Sequence, residues 1–442
     1  MEEKNLQKAL TPIKLWAIIV GAVVSGMYFG WNYLFENTNF TGALIATIIV
    51  TLFYVTFVFC YSELATAIPS SAGPSAYAKR SMGDFAGFMA GFSILIEYVF
   101  ATPGIAISIG AYVHGLVPSV PAKIAAVVAF CLFVFINCRG IESAAVVSVT
   151  VTVVAIIGVI VYFVVGIPTV NFGGLFSSKA PMNGAQGIFA AIPYVVWFYL
   201  AVESGAMGAE ECKNPQKDIP KAFISAIGAL VLMAIAALLV TAGNSTANLS
   251  AVAKTDNPLP SILAGVYGAN SLIVKAVGFF GLFGLVASLH GIMIGYSRQA
   301  YAMSRNGYLP SLLSKLDKKG TPVIALLITS VFGLFFVITG NVGNLVVFSC
   351  IGSSVMAVLS IASWFILRKK EPDMIRPYKL KTSIIPIIAA VTCLIVVVSI
   401  VVSQASLLFL AAGVYVVAAI YYVVINKLFG KNTVIAEGDA EA

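Results

Sequence analysis

The chain has 442 residues, 60% of them hydrophobic and only 10% charged, with a mean hydropathy of +0.99 and a formal net charge of +8. Soluble domains carry about 25% charged residues, so this composition excludes a soluble globular protein and leaves no room for a separate soluble domain. The excess Lys and Arg fall in short segments between apolar runs, which argues against a nucleic-acid partner, and the six scattered cysteines (Cys60, Cys131, Cys138, Cys212, Cys350, Cys393) form no CxxC or Cys/His cluster, so free, buried thiols are expected.

The start, MEEKNLQK, leads directly into an apolar run without a cleavable signal pattern. Segment 1–14 is read as a terminal tail. Twelve apolar stretches of roughly 20 residues follow, each long enough to cross a bilayer as a helix. The chain therefore reads as an all-α polytopic membrane protein.

The first span covers about 15–35 and is interrupted at Ser25-Gly26, with Met27, Tyr28, Phe29, Trp31 and Tyr33 directly after. The second, 42–66, carries Glu63 near its end and runs into IPSSAGPSAYAKR, read as a Pro/Gly/Ser turn with two basic residues. The third, 85–112, holds Glu97, Tyr98 and a Pro103-Gly104 pair, with His114 placed in the loop beyond it. The fourth and fifth are 122–138 and 143–165.

The sixth lies in GIFAAIPYVVWFYLAVESGAMGAEECKNPQKDIPK, which begins as a span and then meets Ala201, Glu203, Ser204 and Gly205. A carboxylate at membrane depth costs about 3 kcal/mol on insertion scales, and Ser and Gly are weak helix formers. Freed backbone groups at that depth are tolerated only inside protein or along a cavity, so this span reads as a discontinuous helix with an acid at its break. The seventh span is 222–241, and a polar segment with short helices follows. The eighth, 272–303, contains Ser288 and His290; the remaining four are 322–338, 342–367, 384–402 and 407–424, with a tail from 427 to 442.

With both ends on one side, 22 Lys and Arg fall on that side and 4 on the other. The positive-inside bias makes both termini cytoplasmic, in a plasma-membrane protein. Asn39, Asn244 and Asn248 head Asn-x-Ser/Thr triplets in outside segments, a pattern frequent by chance. Breaks in spans one and six, five spans apart, point to two inverted repeats, 15–166 and 186–367, with spans eleven and twelve (384–426) outside them.

Intramembrane acids are functional hypotheses by default. Burial disfavours a carboxylate's charge, which suits Glu203 and Glu97 to carrying a proton. The competing readings are structural: an acid that ties down the break's backbone, or one that merely bonds two helices. For Glu63 the reading is a helix-end ion pair or a packing contact at the loop. His290 is either a satisfied interior imidazole or a proton relay or substrate contact. The aromatics at the breaks (Tyr28, Phe29, Trp31, Tyr98, Phe100, Trp197, Phe198, Tyr199) are core packing taken singly; clustered, they could hold an ammonium group. Amides freed at Ser25, Gly26 and Met27 could hold a substrate carboxylate, and carbonyls at Ala201 and Val202 a cation. No HExxH, GxSxG, Walker A or metal cluster points to an enzyme or a cofactor.

Over essentially its whole length the chain resembles the amino acid–polyamine–organocation (APC) superfamily, through YSELATAIPSSAGPSAYAKRSMG, VESGAMGAEECKNPQKDIPKA and GYSRQAYAMSRNGYLP. Within it, SGMYFGWNY, LIEYVFATPGIAISIGAY, GIFAAIPYVVWFYLAVE and FGLVASLHGIMIGYSRQ look most like the ethanolamine permeases. The resemblance implies a LeuT-like fold with helices one and six broken, alternating access, an amine or amino acid substrate, and proton coupling. By position, Glu203 matches the acid assigned in related antiporters to proton-linked gating. Trp197 matches an aromatic of their substrate site, and Ser25, Gly26 and Met27 match the unwound motif. Ala201 stands where relatives often have Gly, and span five lacks the Lys that replaces sodium in some relatives. Sodium bound by carbonyls and hydroxyls such as Ser288 therefore stays open. The expected activity is import of a small amine, ethanolamine foremost, sped by an inward proton gradient. The alternatives are a neutral amino acid permease and, outside the class, a channel or a receptor.

Overall fold

The computed structural model describes residues 10–139, 141–175, 180–246 and 248–429. Lys4, Lys8, Lys179 and Lys431, which entered the charge count, and most of both tails lie outside these residues. The first span comprises α1 (Pro12–Val23), α2 (Ser25–Tyr28) and a 3₁₀ turn (Trp31–Glu36); α3 (Phe40–Ala67) is the second. After α4 (Pro74–Met82) come α5 (Asp84–Leu116), α6 (Ala122–Asn137) and α7 (Ile141–Gly166). A short α8 (Phe172–Leu175) precedes the split sixth span, α9 (Gly184–Val196) and α10 (Ser204–Met207). The seventh span is α11 (Pro215–Gly243). Short helices α12 (Leu249–Val252) and α13 (Pro258–Tyr267) occupy the polar segment. The last five spans are α14 (Leu272–Arg305), α15 (Val323–Thr339), α16 (Val342–Lys370), α17 (Ile384–Ser403) and α18 (Ala405–Phe429).

Nine of these stretches, among the described residues, have the length and hydropathy of a full membrane crossing. The fourth, sixth and ninth spans are the shorter apolar helices Ala122–Asn137, Gly184–Val196 and Val323–Thr339. Burial ranks the helices. The apolar windows of the first span, α5 and α16 are 78%, 72% and 78% buried, against 11% for α18, so these three lie at the centre and α18 at the periphery. α5 packs along α16, α14 and α6, while α1 packs against α11, α7 and α14, and α9 against α3 and α17. The close fit of α16 on α5 depends on Gly352: a Cβ there would lie 2.7 Å from both the Glu97 amide nitrogen and the Ser93 carbonyl oxygen.

Several local expectations change. Only the first part of IPSSAGPSAYAKR is a turn; Gly73, at φ +49°, admits Pro74 as the first residue of a nine-residue helix. Proline's fixed φ suits that position, where its missing N–H is no loss. His114 lies in the last turn of α5 rather than beyond it, with Nδ1 2.9 Å from the Val120 carbonyl. Cys60, Cys212, Cys350 and Cys393 are buried, but Cys131 is exposed and Cys138 half-buried, because α6 lies at the periphery. Two of the three Asn-x-Ser/Thr asparagines cap helices: Asn39 accepts from the Gly42 amide and Asn248 from the Ala251 amide.

The end that gathers most described Lys and Arg, here the basic end, is closed by ion pairs. Glu63, nearly inaccessible, receives a bidentate pair from Arg368 at 2.7 Å, the Arg376 guanidinium at 3.4 Å and the Leu380 amide at 2.8 Å. This is the helix-end ion pair read from the sequence. Arg376 also donates to the Leu367 and Glu371 carbonyls, capping the end of α16. Glu211 pairs with Arg298 at 2.9 Å, and Glu210 accepts from the Ser71 amide. Leu10 exchanges backbone hydrogen bonds with Glu211 and Lys213, seating the chain's beginning under the sixth span. At the opposite end Asn32 donates to the Val252 and Thr255 carbonyls, and the Tyr33 hydroxyl donates to Asp256. Burial pushes the Asp256 carboxyl above its usual range, against the opposing effect of the Tyr33 hydrogen bond. Contacts between elements thus tie the bundle together at both of its ends.

Candidate functional site

The first span bends for a reason that lies elsewhere in the chain. In a regular helix the Ser25 amide would donate to the Gly21 carbonyl. Here the Ser288 hydroxyl of α14 sits between them: it accepts from the Ser25 amide at 2.9 Å and donates to the Gly21 carbonyl at 2.8 Å. A side chain inserted into the hydrogen-bond ladder is a known cause of a kink. The helix resumes for Ser25–Tyr28 and becomes extended only at Phe29, with Gly30 at φ +89°. The interruption expected at Ser25-Gly26 is therefore a kink at Val24 followed by unwinding at Phe29-Gly30. The Met27 amide donates to the Val24 carbonyl, so neither it nor the Ser25 amide awaits a ligand.

The sixth span unwinds over 197–203. The Trp197 amide turns to the Tyr194 carbonyl, and the Pro193 carbonyl it would otherwise meet accepts from the Cys350 thiol at 2.9 Å. Ala201 adopts φ +72°, a left-handed conformation in which a Cβ is strained. Its amide donates to Glu97 Oε1 at 3.0 Å. Glu97, rather than Glu203, is thus the acid that ties down the break. We predict that Ala201→Gly raises the thermal midpoint of the purified protein, by about 1 kcal/mol of stability, since glycine relieves this strain. A lower midpoint would show that the surroundings do not hold the residue in a strained state.

The two breaks cross backbone to backbone. A Cβ on Gly26 would stand 2.2 Å from the Trp197 carbonyl oxygen, and one on Gly30 2.4 Å from Trp197 Nε1. The Trp197 ring meets Phe29 edge-on at 5.3 Å, and Phe198 stacks on Trp31 at 5.0 Å. Trp197 Nε1 is buried and has no hydrogen-bond partner among the described residues.

Beside this crossing stand the two acids. Glu97 and Glu203 are fully buried. The Tyr98 hydroxyl donates to Glu203 Oε1 at 2.6 Å, so the two carboxyls are neighbours, and Glu97 Oε2 and Glu203 Oε2 have no hydrogen-bond partner among the described residues. On the Glu97 side, Ser353 of α16 contacts the Tyr54 hydroxyl at 3.2 Å. Among the described residues, the ion pairs of Arg298, Arg305, Arg368 and Arg376 go to Glu211, Glu210 and Glu63, away from this pair. The arrangement can exchange protons and can hold a cation.

Of the residues singled out in the sequence, the fold gathers Gly26, Trp197, Phe198, Glu97, Tyr98, Ala201 and Glu203 here, with Ser25 and Ser288 at the adjoining kink. Others turn away. The Tyr28 hydroxyl donates to the Ala155 carbonyl of α7. The Tyr199 hydroxyl meets Thr51 of α3, and its ring lies 5.2 Å from that of Tyr54. Phe100 stacks on Phe348. The His290 ring packs near Phe133 of α6, about 200° around α14 from Ser288. Tyr54 and Ser353 were missed. One sits in an unbroken apolar run and the other beside a second serine, and neither has a local signal.

The amino acid permease family profile matches residues 10–425. The methylthioribose transporter of Bacillus subtilis is 25% identical, over 89% of this chain and 88% of its own length. The branched-chain amino acid permease of the same organism is 24% identical, over 90% and 89%. The human large neutral amino acids transporter small subunit 2 is 27% identical, over 85% and 72%. These relatives are transporters and not enzymes, and none of the three is named for ethanolamine. With buried acids at crossed helix breaks and a match spanning nearly its entire length, the chain belongs to the amino acid permease family of the APC superfamily.

Proposed function

We propose that this protein is a secondary carrier for a small organic amine, ethanolamine foremost, coupled to protons through Glu97 and Glu203. The carrying observation is the buried acid pair, which forms no ion pair with an arginine among the described residues and stands beside a first-span kink whose Ser25 and Met27 amides are already engaged. An ammonium group suits the acids and the rings of Trp197 and Phe198. A hydroxyl suits the buried Trp197 Nε1–H. Residues 15–166 and 186–367 act as two repeats that rock about the crossing breaks. The basic end faces the cytoplasm by the positive-inside bias, in the plasma membrane.

A second reading, a neutral amino acid permease, is supported by the names of the branched-chain and large neutral amino acid relatives. Thermal-shift measurements on the purified protein separate the two, using ethanolamine, choline, small diamines and neutral amino acids, each with and without sodium. A ligand at 100 times its dissociation constant adds about 2.7 kcal/mol. A shift with ethanolamine and none with neutral amino acids is expected. The reverse overturns the amine reading, and a sodium requirement overturns proton coupling.

A further inference from the structure

We propose that the Glu97–Glu203 pair makes this carrier an electroneutral exchanger, which moves one organic ammonium in one direction and one proton in the other. The inference deepens the amine reading above and rests on it. Its basis is the charge inventory of the closed centre. Both acids are inaccessible to solvent. The titratable groups that face them include, among the described residues, Tyr54 and Tyr61 from α3, Tyr98 from α5, Cys350 from α16 and Tyr415 from α18. All are neutral acids, and no cation is among them. Among the described residues, the arginine ion pairs at the basic end go to Glu63, Glu210 and Glu211 and none reaches the central pair.

Compensation for negative charge on the pair therefore comes from a proton or from the cargo. An uncompensated carboxylate at membrane depth is costly, and two in contact are more so. The closed, empty carrier then crosses with both carboxyls protonated and no net charge. When an ammonium enters, one carboxyl O–H breaks and its proton leaves to the side the cargo came from. The other carboxyl keeps its proton and bridges to the new carboxylate, and the site again sums to zero. On release at the far side, that carboxylate takes one proton from that side. One ammonium has crossed one way and one proton the other. The consequence reverses the sequence-based expectation: acid on the receiving side, not on the supplying side, accelerates uptake.

Two measurements on the wild-type protein test this. In titration calorimetry near neutral pH, in two buffers of different ionisation enthalpy, ethanolamine binding is expected to release about one proton per ligand. In proteoliposomes, labelled ethanolamine uptake is expected to accelerate with an acid lumen and to be indifferent to a lumen-negative potential set by valinomycin at equal pH. Binding without proton release, uptake sped by the potential, or uptake sped by external acid each overturns the exchange and leaves the amine reading standing. An absence of ethanolamine binding overturns both.

Discussion

Gly26→Ala is expected to reduce transport about 10²-fold, the scale on which a displacement of about 1 Å at a positioned site is felt. The reason is the crossing of the two broken spans. A methyl group on Gly26 would stand 2.2 Å from the Trp197 carbonyl oxygen and 3.2 Å from the Phe198 Cα, so it meets backbone rather than a side chain that could turn aside. Neither strand of the crossing is free to yield. The first is tied by Ser288 on one side and by the bond from Trp31 Nε1 to the Met27 carbonyl on the other. The second is tied by the Ala201–Glu97 and Cys350–Pro193 bonds. Forcing them apart costs about 1–3 kcal/mol in packing and moves Trp197 and the acids together. Uptake into proteoliposomes, normalised to folded protein by a thermal melt, reads the effect. Near-wild-type uptake would mean that the breaks separate during the cycle without loss and that their contact has no part in transport.

Glu97→Gln is the second large effect. The amide keeps the shape of the side chain and an oxygen for the Ala201 N–H, so the break stays capped and the thermal midpoint is expected to change little. What disappears is the ability to carry a negative charge or to give up a proton. Losing one partner of a buried charge pair costs about 2–5 kcal/mol, so ethanolamine affinity is expected to fall at least about 30-fold. A neutral amino acid, whose binding does not depend on this charge, would bind nearly as before. Glu203→Gln is expected to weaken the pH dependence of uptake, because the pair loses the second site over which a proton is shared. Unchanged affinity in the first variant together with unchanged pH dependence in the second would remove the acid pair from the mechanism and return Glu97 to a purely structural cap.

The sequence by itself determined the spans, the clustering of basic residues at one end, the unwinding of span six and the two acids inside the bilayer. These are local properties. A bilayer requires each segment to be apolar and to satisfy its own backbone, so length, hydropathy and a misplaced Glu-Ser-Gly are visible without knowledge of any neighbour. The helix-end pairing of Glu63 was legible for the same reason, since a lone acid next to a basic loop has few alternatives. The place where span one bends was not legible, because its cause is a hydroxyl 263 residues away that replaces a backbone partner. The same holds for Glu97, whose oxygen meets an amide 104 residues later in the chain, and for Ser353 and Tyr54, which look like ordinary residues of apolar helices. Helical register set which way His290 and Tyr28 point, the unwound segment set the direction of Tyr199, and only packing assigned each of them to a different neighbour. Tertiary structure alone decided which side chain stands in for each missing backbone bond, because hydrogen bonding is directional and short-ranged whereas burial in a membrane is neither.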